Sequence, residues 1–384
     1  MDKRVYLLTI VSFIVGMVEL IIGGILDIVA DDLNVGIGRA GLLITIFSLV
    51  FAVSSPIVLF LTANFERKKL MLVTMLVFLS SNILAVISPS YSILFISRII
   101  SAITASLLIV LCVTIASKIV DPAYRGRAIG IVNMGVSGSL VLGIPIGLVL
   151  GNAFGWRAPF VMIACLTILS MIGIYLFMEK MAPAQSVTSI GEQISTLKNS
   201  YVLFAHLTTF LVLAGHTTLY SYLTPYVQNT MGLEGSWVSI VYFAFGIAAV
   251  AGGAVGGTLS DQFGSKKTLL SVIVIFGMAI VSIPFTTFSI PLFFLLLVVW
   301  AMMSWAITPP IQSYLIESSP DNAGILISLN NSSLHLGIAA GSFVGSIVVE
   351  GIGIDNTPFV GSIFILLALF AAIHSISRRQ RMLT

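Results

Sequence analysis

Charged residues are scarce in this sequence. Asp, Glu, Lys and Arg together make up 9% of its 384 residues, whereas an ordinary soluble domain carries roughly a quarter. A chain of this length would normally form two or three soluble domains, each with a charged surface. The 18 Lys and Arg and 15 Asp and Glu are too few for that. The composition therefore argues against a solvent-exposed enzyme, a disordered protein and a nucleic-acid binder.

Cysteines and the common catalytic motifs are also nearly absent. Cys112 and Cys165 both lie inside apolar runs, so they predict neither a disulfide framework nor a metal site. The sequence contains no H-E-x-x-H, no G-x-x-x-x-G-K-[ST] and no C-x-x-C. We therefore expect no metal, no cofactor and no enzymatic activity. Without a phosphate-binding loop, direct use of ATP is not expected either.

Apolar residues, in contrast, make up 58% of the chain. A helix needs roughly 20 of them in succession to cross the hydrocarbon core of a bilayer. Twelve runs are candidates: 5–29, 39–63, 70–88, 91–118, 128–150, 157–178, 200–228, 237–259, 268–287, 291–316, 322–349 and 357–377. They are too long and too uniformly apolar for the alternating strands of a membrane β-barrel. We predict an all-α polytopic membrane protein with 12 transmembrane helices.

One polar stretch, residues 179–199, divides the chain into two halves of six spans, 1–178 and 200–384. If the N-terminus is cytoplasmic, 15 of the Lys and Arg fall in cytoplasmic segments and only Arg39 and Arg157 in outer loops. The positive-inside rule then places both termini and the central loop in the cytoplasm. The first run exceeds the usual length of a signal peptide and has no Ala-x-Ala site, so we interpret it as a retained helix.

Two loops in equivalent positions of the halves resemble each other. The loop after span 8 contains Gly257, Asp261, Gly264 and Lys266, and the loop after span 2 contains Arg67 and Lys68. Both place an aromatic residue and then two or three cations at the cytoplasmic end of a span. We expect a tight turn whose cations and acid can pair across the cytoplasmic face and so hold the two halves together in one conformational state. The alternative is that the cations act only as positive-inside anchors.

These features resemble the major facilitator superfamily. The likeness rests on the spans, the central loop and the 257–267 motif, and Arg98, Gly143-Ile144-Pro145-Ile146-Gly147 and Gly155-Trp156-Arg157 resemble its drug:proton antiporter branch. Strings around Glu19, His216 and Trp305 are similar to the bacterial purine-efflux pumps. In one departure, the first-half loop has Ala63 and Glu66 where the general motif has an acid and a glycine. The resemblance implies two pseudo-symmetric halves, a bacterial plasma membrane and export by antiport, with Gly143, Pro145 and Gly147 taking part in conformational change.

Two charges lie deep in the predicted spans. Glu19 and Arg98 are roughly 15 and 12 Å from the outer ends of spans 1 and 4 at 1.5 Å per residue, so they could meet. Intramembrane charges usually face a cavity or a partner. Our hypothesis is that Glu19 carries the proton and Arg98 modulates its protonation. The alternative is a static buried salt bridge. Asp27 lies nearer the outer mouth, where a solvated helix-end acid is favoured over a second proton site.

The second half supplies neutral polar and aromatic side chains for a substrate. We predict that Glu19 and the second-half residues His216, Tyr220, Ser304, Trp305, Gln312, Asn331 and His335 bind it. His, Asn and Gln read donors and acceptors, and Tyr and Trp stack on flat rings, which suits a planar heterocycle in a central pocket. The alternatives are that the histidines bond neighbouring helices and that the tryptophans only pack. Asn331 is preferred to Asn330, and His206 and His374 are interpreted as interfacial.

The sequence therefore predicts a proton-coupled exporter of purine bases, nucleosides and their analogues. Its partners would be protons, a small molecule and the lipid bilayer, and two halves in one chain mean that a monomer could suffice. An exporter of aromatic amino acids or hydrophobic drugs is the alternative within the same fold. A membrane-embedded enzyme and a passive channel are the alternatives outside it, but a channel would not depend on an acid at Glu19.

Overall fold

The computed structural model describes residues 2–121, 124–183, 191, 195–319 and 322–383, apart from the side chains of residues 380–383. Within these residues all regular structure is helical. Twelve helical segments are long and apolar enough to cross a membrane. The prediction of an all-α protein with 12 transmembrane helices is therefore confirmed.

The described helices follow one another in simple order. They are α1 (Lys3–Gly24), α2 (Leu26–Asp32), α3 (Ile37–Leu61), α4 (Arg67–Val86), α5 (Tyr91–Lys118), α6 (Arg125–Gly138), α7 (Ile144–Phe154), α8 (Ala158–Phe177), α9 (Ser200–Tyr220), α10 (Leu223–Met231), α11 (Ser236–Phe263), α12 (Ser265–Ser282), α13 (Ile290–Ala306), α14 (Thr308–Ser318), α15 (Ala323–Gly351) and α16 (Thr357–Leu383). A π-helical turn, Ser139–Gly143, joins α6 to α7.

Five predicted spans are interrupted or change helix type, which the hydropathy pattern did not indicate. In one of them, 268–287, α12 is followed by a 3-10 turn, Ile283–Thr286. The span 5–29 breaks at Ile25, and the span 291–316 breaks at Ile307, just before Pro309 and Pro310. Proline has no amide hydrogen, so a helix that contains it loses a backbone bond. The span 128–150 contains the π turn ahead of Pro145, and the span 200–228 breaks after Tyr220. Because of the first break, the direction of Asp27 does not follow from counting residues from Glu19.

The contacts between residues divide the chain into two units. Unit 1 comprises the described residues within 1–36, 46–187 and 235–243, and unit 2 comprises those within 37–45, 188–234 and 244–384. The division into 1–178, 179–199 and 200–384 remains a prediction. Residues 184–190 and 192–194 of the predicted central loop lie outside the described residues.

In unit 1, glycines bring α6 against the backbone of α1 and α7 against an α1 side chain. A Cβ atom on Gly135 would lie 2.3 Å from the carbonyl oxygen of Thr9, and one on Gly147 would lie 2.0 Å from Ile21 Cδ1. The Thr9 hydroxyl also donates to the carbonyl oxygen of Ile131 at 3.2 Å. Small residues allow this close approach of membrane helices, and the hydroxyl adds a hydrogen bond across the pair.

Unit 2 uses the same arrangement between α9 and α15. A Cβ atom on Gly337 would lie 2.4 Å from the carbonyl oxygen of Phe210, and one on Gly341 would lie 2.1 Å from that of Ala214. The Thr217 hydroxyl donates to the carbonyl oxygen of Ile338 at 3.2 Å. Each unit thus joins two of its helices, α1 to α6 in unit 1 and α9 to α15 in unit 2, through glycines and a threonine hydroxyl.

Near the Trp156-Arg157 motif, Asp32 links three segments of unit 1. Its carboxylate accepts hydrogen bonds from Trp156 Nε1 and Arg157 Nη1, both at 2.7 Å. Arg157 Nη2 donates to the carbonyl oxygen of Ser88 at 2.9 Å. Asp32 is therefore the acceptor that connects the end of α2 to the α7–α8 turn.

The α3–α4 turn is held to the chain after α8 through Glu66. The Glu66 carboxylate accepts from the backbone amides of Lys68 and Lys69 at 2.8 Å and of Met181 at 2.7 Å, while the Arg67 amide donates to the Met181 carbonyl at 3.1 Å. Lys68 Nζ donates to the carbonyl oxygen of Tyr175 at 2.9 Å. The departure from the family motif at Glu66 thus caps α4 and secures the first residues after α8.

We predict that Glu66→Ala will speed hydrogen exchange at the amides of Lys68, Lys69 and Met181 at neutral pH, as measured by mass spectrometry. Loss of a helix cap of this kind costs about 1 kcal/mol. Burial acts to raise the pKa of Glu66, but the hydrogen bonds from the amides of Met181, Lys69 and Lys68 outweigh it and hold that pKa below its usual value.

Because the folded pKa is depressed, this contribution is complete above the ordinary carboxyl pKa and is lost as the pH falls through the lowered value. In the wild type, the protection should therefore persist at neutral pH and fail only in acid. Glu179→Ala is the matched control, since that side chain is 82% exposed. Equal exchange in Glu66→Ala and the wild type would contradict this role.

Candidate functional site

Arg98 on α5 is fully buried in unit 1. Its Nη1 donates to the carbonyl oxygen of Val18 on α1 at 2.7 Å. The guanidinium carbon lies 4.2 Å from the centroid of the Phe47 ring on α3, which is a cation–π contact. Its Nε and Nη2 have no hydrogen-bond partner within the described part of the chain. The hydrogen bond and the ring together fix the plane of the guanidinium.

Glu19 follows Val18 directly on α1, so the backbone that anchors Arg98 also carries the carboxylate. The side chain of Glu19 is half-buried, and its charge interacts with that of Arg98. The structure thus brings these two predicted residues together. Asp27 is half-buried on α2, beyond the break at Ile25.

Two of the predicted gating residues of span 5, Gly143 and Gly147, pack on one face of α1. A Cβ atom on Gly143 would lie 2.5 Å from Met17 Cγ, and Gly147 is in contact with Ile21. Each of these two α1 residues is two positions from Glu19, and therefore roughly 160–200° around the helix from it. The packing of α7, which contains Pro145, leaves the Glu19 side of α1 available for other contacts.

In unit 2, His216 and Tyr220 of α9 belong to a compact aromatic cluster. His216 stacks on Tyr220 with the ring centroids 4.9 Å apart, and its ring lies 5.5 Å from Trp300 of α13. Phe245 of α11 is 4.7 Å from Tyr220 and 5.1 Å from Trp300, and Phe276 of α12 is 6.2 Å from His216. We call these five residues the aromatic cluster.

The aromatic cluster is closed in this structure. A third ring sandwiched between two others would need them about 7 Å apart, twice the carbon–carbon contact distance. The 4.9 Å between His216 and Tyr220 leaves no such space. His216 and Tyr220 are 6% and 8% exposed, whereas Trp300 is fully buried. His216 Nδ1 and Trp300 Nε1 nevertheless have no hydrogen-bond partner within the described residues, so the cluster retains unused polar atoms.

The remaining predicted substrate residues differ in exposure. Ser304 is buried and donates to the carbonyl oxygen of Ala301 at 2.9 Å. Trp305, Gln312 and His335 are half-buried, and Asn331 is exposed. Trp305, Gln312, His335 and Asn331 are therefore partly accessible at the surface of the protein. Ser304 is not, and it uses its hydroxyl within its own helix.

Two residues of α9 and α15 form a buried polar contact that the sequence analysis did not expect. Asn330 is 1% exposed, and its side-chain oxygen accepts from the Thr209 hydroxyl at 2.6 Å. His206 is 3% exposed, so the side chain is enclosed by protein, a feature that its interpretation as interfacial did not include. His206 lies one turn before Thr209 on a helix that is packed closely against others, which a count of residues from the end of a span does not reveal.

The predicted gating loop of unit 2 is organised by a residue outside the motif. Gly264 has φ of 85° at the turn before α12, a conformation that favours glycine. Within the described residues Asp261 and Lys266 form no ion pair, and Gly257 only approaches Pro309. Instead, Glu317 accepts from the Ser265 hydroxyl at 3.1 Å and pairs with Arg379 at 3.8 Å. The pairing expected across the cytoplasmic face in one conformational state stays a prediction.

Phe245, Phe276 and Glu317 were missed from the sequence. The chain has 24 phenylalanines, and no spacing distinguishes the two that contact His216 and Tyr220.

No group of three or more His, Cys, Asp or Glu could hold a metal ion within the described ranges.

Comparisons with known proteins agree with this architecture. The sequence model of the Major Facilitator Superfamily matches residues 8–342 and 207–381. An uncharacterized MFS-type transporter of Bacillus subtilis (strain 168), YbcL, is 34% identical over 370 residues, 96% of this chain and 95% of that relative. A probable sugar efflux transporter of Mannheimia succiniciproducens is 25% identical over 360 residues, 94% of this chain and 90% of that relative.

Among solved structures, the chain is similar to a bacterial homolog of the human lysosomal transporter Spinster. That protein was crystallised in an inward-facing and unoccupied conformation. The TM-score is 0.83, the likeness covers 99% of both chains, and the sequences are 16% identical. At this identity the likeness concerns the fold alone.

We predict that Phe245→Ala will lower the free energy of unfolding by about 3–5 kcal/mol, because it removes a buried ring from the aromatic cluster. Thermal unfolding in detergent, followed by tryptophan fluorescence, measures this. Phe243→Ala is the matched control on the same helix: its ring is 43% exposed, so we expect a loss of about 1 kcal/mol or less. Equal losses in the two variants would show that the cluster is not part of the core of unit 2.

Proposed function

The chain belongs to the major facilitator superfamily, and we propose that it is a proton-coupled exporter of small planar aromatic molecules, foremost purine bases and nucleosides. Members of this family are membrane transporters, not enzymes, and the chain is a multi-pass membrane protein. The proposal adds to this the coupling ion, the direction and the substrate class.

The observation that carries the proposal is the Glu19–Arg98 pair. A carboxylate within electrostatic reach of a fully buried guanidinium, on helices long enough to cross a membrane, is unusual because buried charge is costly. A carboxylate in this position can take up a proton and lose its attraction for Arg98. Glu19 is half-buried, so its side chain is less enclosed than that of Arg98. We propose Glu19 as the proton carrier and Arg98 as its partner, and Asp27 as an outer acid.

Two features of unit 2 support a planar substrate. The half-buried side chains of Trp305, Gln312 and His335, with exposed Asn331, offer a flat surface and several donors and acceptors. His216 and Tyr220 present only their edges, since their faces are stacked. We propose that a substrate meets the edge of the aromatic cluster at His216 and is oriented by the polar side chains. The similarity of the surrounding strings to purine-efflux pumps adds purines as the substrate class.

Three other substrate classes within the fold remain alternatives. Aromatic amino acids would use the same stacking surface, and hydrophobic drugs would need a less polar set than Gln312, Asn331 and His335. Sugars enter because one relative is named a probable sugar efflux transporter. The half-buried indole of Trp305 favours a flat ring over a sugar.

The other predictions from the sequence are part of this proposal. They comprise the drug:proton antiporter branch, the bacterial plasma membrane, cytoplasmic termini, two six-helix halves joined by residues 179–199, and a functional monomer. Conformational change during alternating access would involve the loops with Arg67, Lys68, Asp261 and Lys266 and the span-5 residues Gly143, Pro145 and Gly147. For Arg67 and Lys68, the contacts of the α3–α4 turn with Met181 and Tyr175 support a fixed position in unit 1.

The test is uptake of labelled hypoxanthine and adenine into proteoliposomes, with and without an imposed pH gradient. We expect gradient-dependent purine movement in the wild type and its loss in Glu19→Gln, because the amide cannot carry a proton. Glu179→Gln, in which an exposed carboxylate is neutralised, is the matched control and should transport normally. Labelled tyrosine, a sugar and an ethidium-type cation form the comparison panel.

Gradient-driven movement of one panel compound without purine movement would replace the substrate class but retain the coupling. Unchanged gradient dependence in Glu19→Gln would contradict the proton role of that residue.

A further inference from the structure

We propose that Arg98 provides a binding position for a ligand group with two adjacent hydrogen-bond acceptors. Such a group is a carboxylate or the acceptor edge of a ring. This inference rests on the proposed function, because it names the chemical feature of the substrate that unit 1 recognises. It gives Arg98 a role in specificity beside its partnership with Glu19.

The guanidinium of Arg98 is used on one side only. Its Nη1 is committed to the carbonyl oxygen of Val18 at 2.7 Å. Nε and Nη2, the two nitrogens on its side-on edge, have no hydrogen-bond partner within the described residues, and the residue is 0% exposed. This edge is the one that binds planar two-acceptor groups through parallel hydrogen bonds. A complete fork of donors is therefore buried and unused.

The orientation of this fork is fixed before any ligand arrives. The Phe47 ring lies 4.2 Å from the guanidinium carbon, and the Val18 carbonyl holds the opposite edge. A side chain held on one face and one edge loses little conformational freedom when a ligand binds its other edge. Buried donors that lack partners are rare and costly in native proteins. A site that is only packing would not be expected to retain two of them on the same edge.

The required chemistry follows from the shape of the fork. A guanidinium binds two neighbouring acceptors at once, whereas an ammonium is a point charge without that geometry. In nucleobases the O6 and N7 atoms of a 6-oxopurine form such a pair, and an arginine binds them in a bidentate manner. Adenine has an amino donor in place of O6. Among purines, the fork therefore selects for the 6-oxo class.

Glu19 gives the position a competitor within the chain. Its carboxylate is itself a two-acceptor group, and its charge already interacts with Arg98. Protonation of Glu19 would weaken its claim on the guanidinium and favour a ligand. Neutralisation in Glu19→Gln should therefore preserve or strengthen the preference for two-acceptor ligands, even though it stops proton-coupled transport.

The test is equilibrium binding to the purified full-length protein in lipid nanodiscs with two matched pairs of probes. Hypoxanthine is compared with 7-deazahypoxanthine, which lacks the N7 acceptor, and benzoate with benzyl alcohol, which lacks the carboxylate. We expect the two-acceptor member of at least one pair to bind roughly 10- to 100-fold more tightly, the discrimination typical of a bidentate arginine. A preference in the first pair only identifies a ring edge as the ligand group, and one in the second pair only a carboxylate.

Two arginine variants connect this preference to the fork. Arg98→Lys retains the charge but loses the paired donors, so it should abolish the preference. Arg4→Lys is the control, because Arg4 contacts Asp2 and Glu179 instead, and it should retain the preference. The wild-type comparison decides the question if Arg98→Lys does not fold.

The inference is overturned if the wild type shows no preference in either pair, or if folded Arg98→Lys keeps the preference. Its failure is separable from that of the proposed function. Purine transport without any preference for two-acceptor ligands would support the proposed function and contradict the proposed binding position at Arg98. An Arg98-dependent preference for benzoate without purine transport would support the binding position at Arg98 and contradict purines as the substrate class.

Discussion

The close approach of α1 to α6 and α7, and of α9 to α15, is the constraint on which the rest of the structure depends. α1 contacts Gly135, Gly143 and Gly147, and α9 contacts Gly337 and Gly341. Each contact is so close that an added Cβ atom would overlap a neighbouring atom. In lipid there is little hydrophobic drive for helix association, so such packing and the threonine hydrogen bonds must supply it. Both units use the same arrangement, which is a repeat in packing that the loop motifs indicated only in part.

This packing determines where the chemical groups lie. On α1 the glycines meet Met17 and Ile21, so Glu19 is on the side turned away from α7. On α9 the carbonyl of Ala214 meets Gly341, and His216 two residues later joins the aromatic cluster instead. One face of α1 and one face of α9 thus pack tightly against glycines. Glu19 lies on another face of α1, and His216 lies on another face of α9.

The sequence predicts the spans well because hydropathy over 20 residues is a strong signal, and it predicts that Glu19 and Arg98 meet because helical rise sets depth. It does not predict the helix breaks at Ile25 and Ile307, the role of Glu66 or the buried position of His206. These depend on contacts between residues far apart in the chain, as when Glu66 accepts from the amide of Met181. The composition of the aromatic cluster is hidden for the same reason, since phenylalanines are common throughout.

The most direct test of the central claim, that Glu19 couples proton binding to substrate binding, is the change in the number of bound protons when substrate binds. Hypoxanthine is added to the purified protein in weakly buffered detergent solution, and the pH is followed with an indicator dye. The account predicts that substrate binding changes the number of bound protons in the wild type and leaves it unchanged in Glu19→Gln. Substrate binding with the same proton change in both proteins, or with none in the wild type, would contradict it.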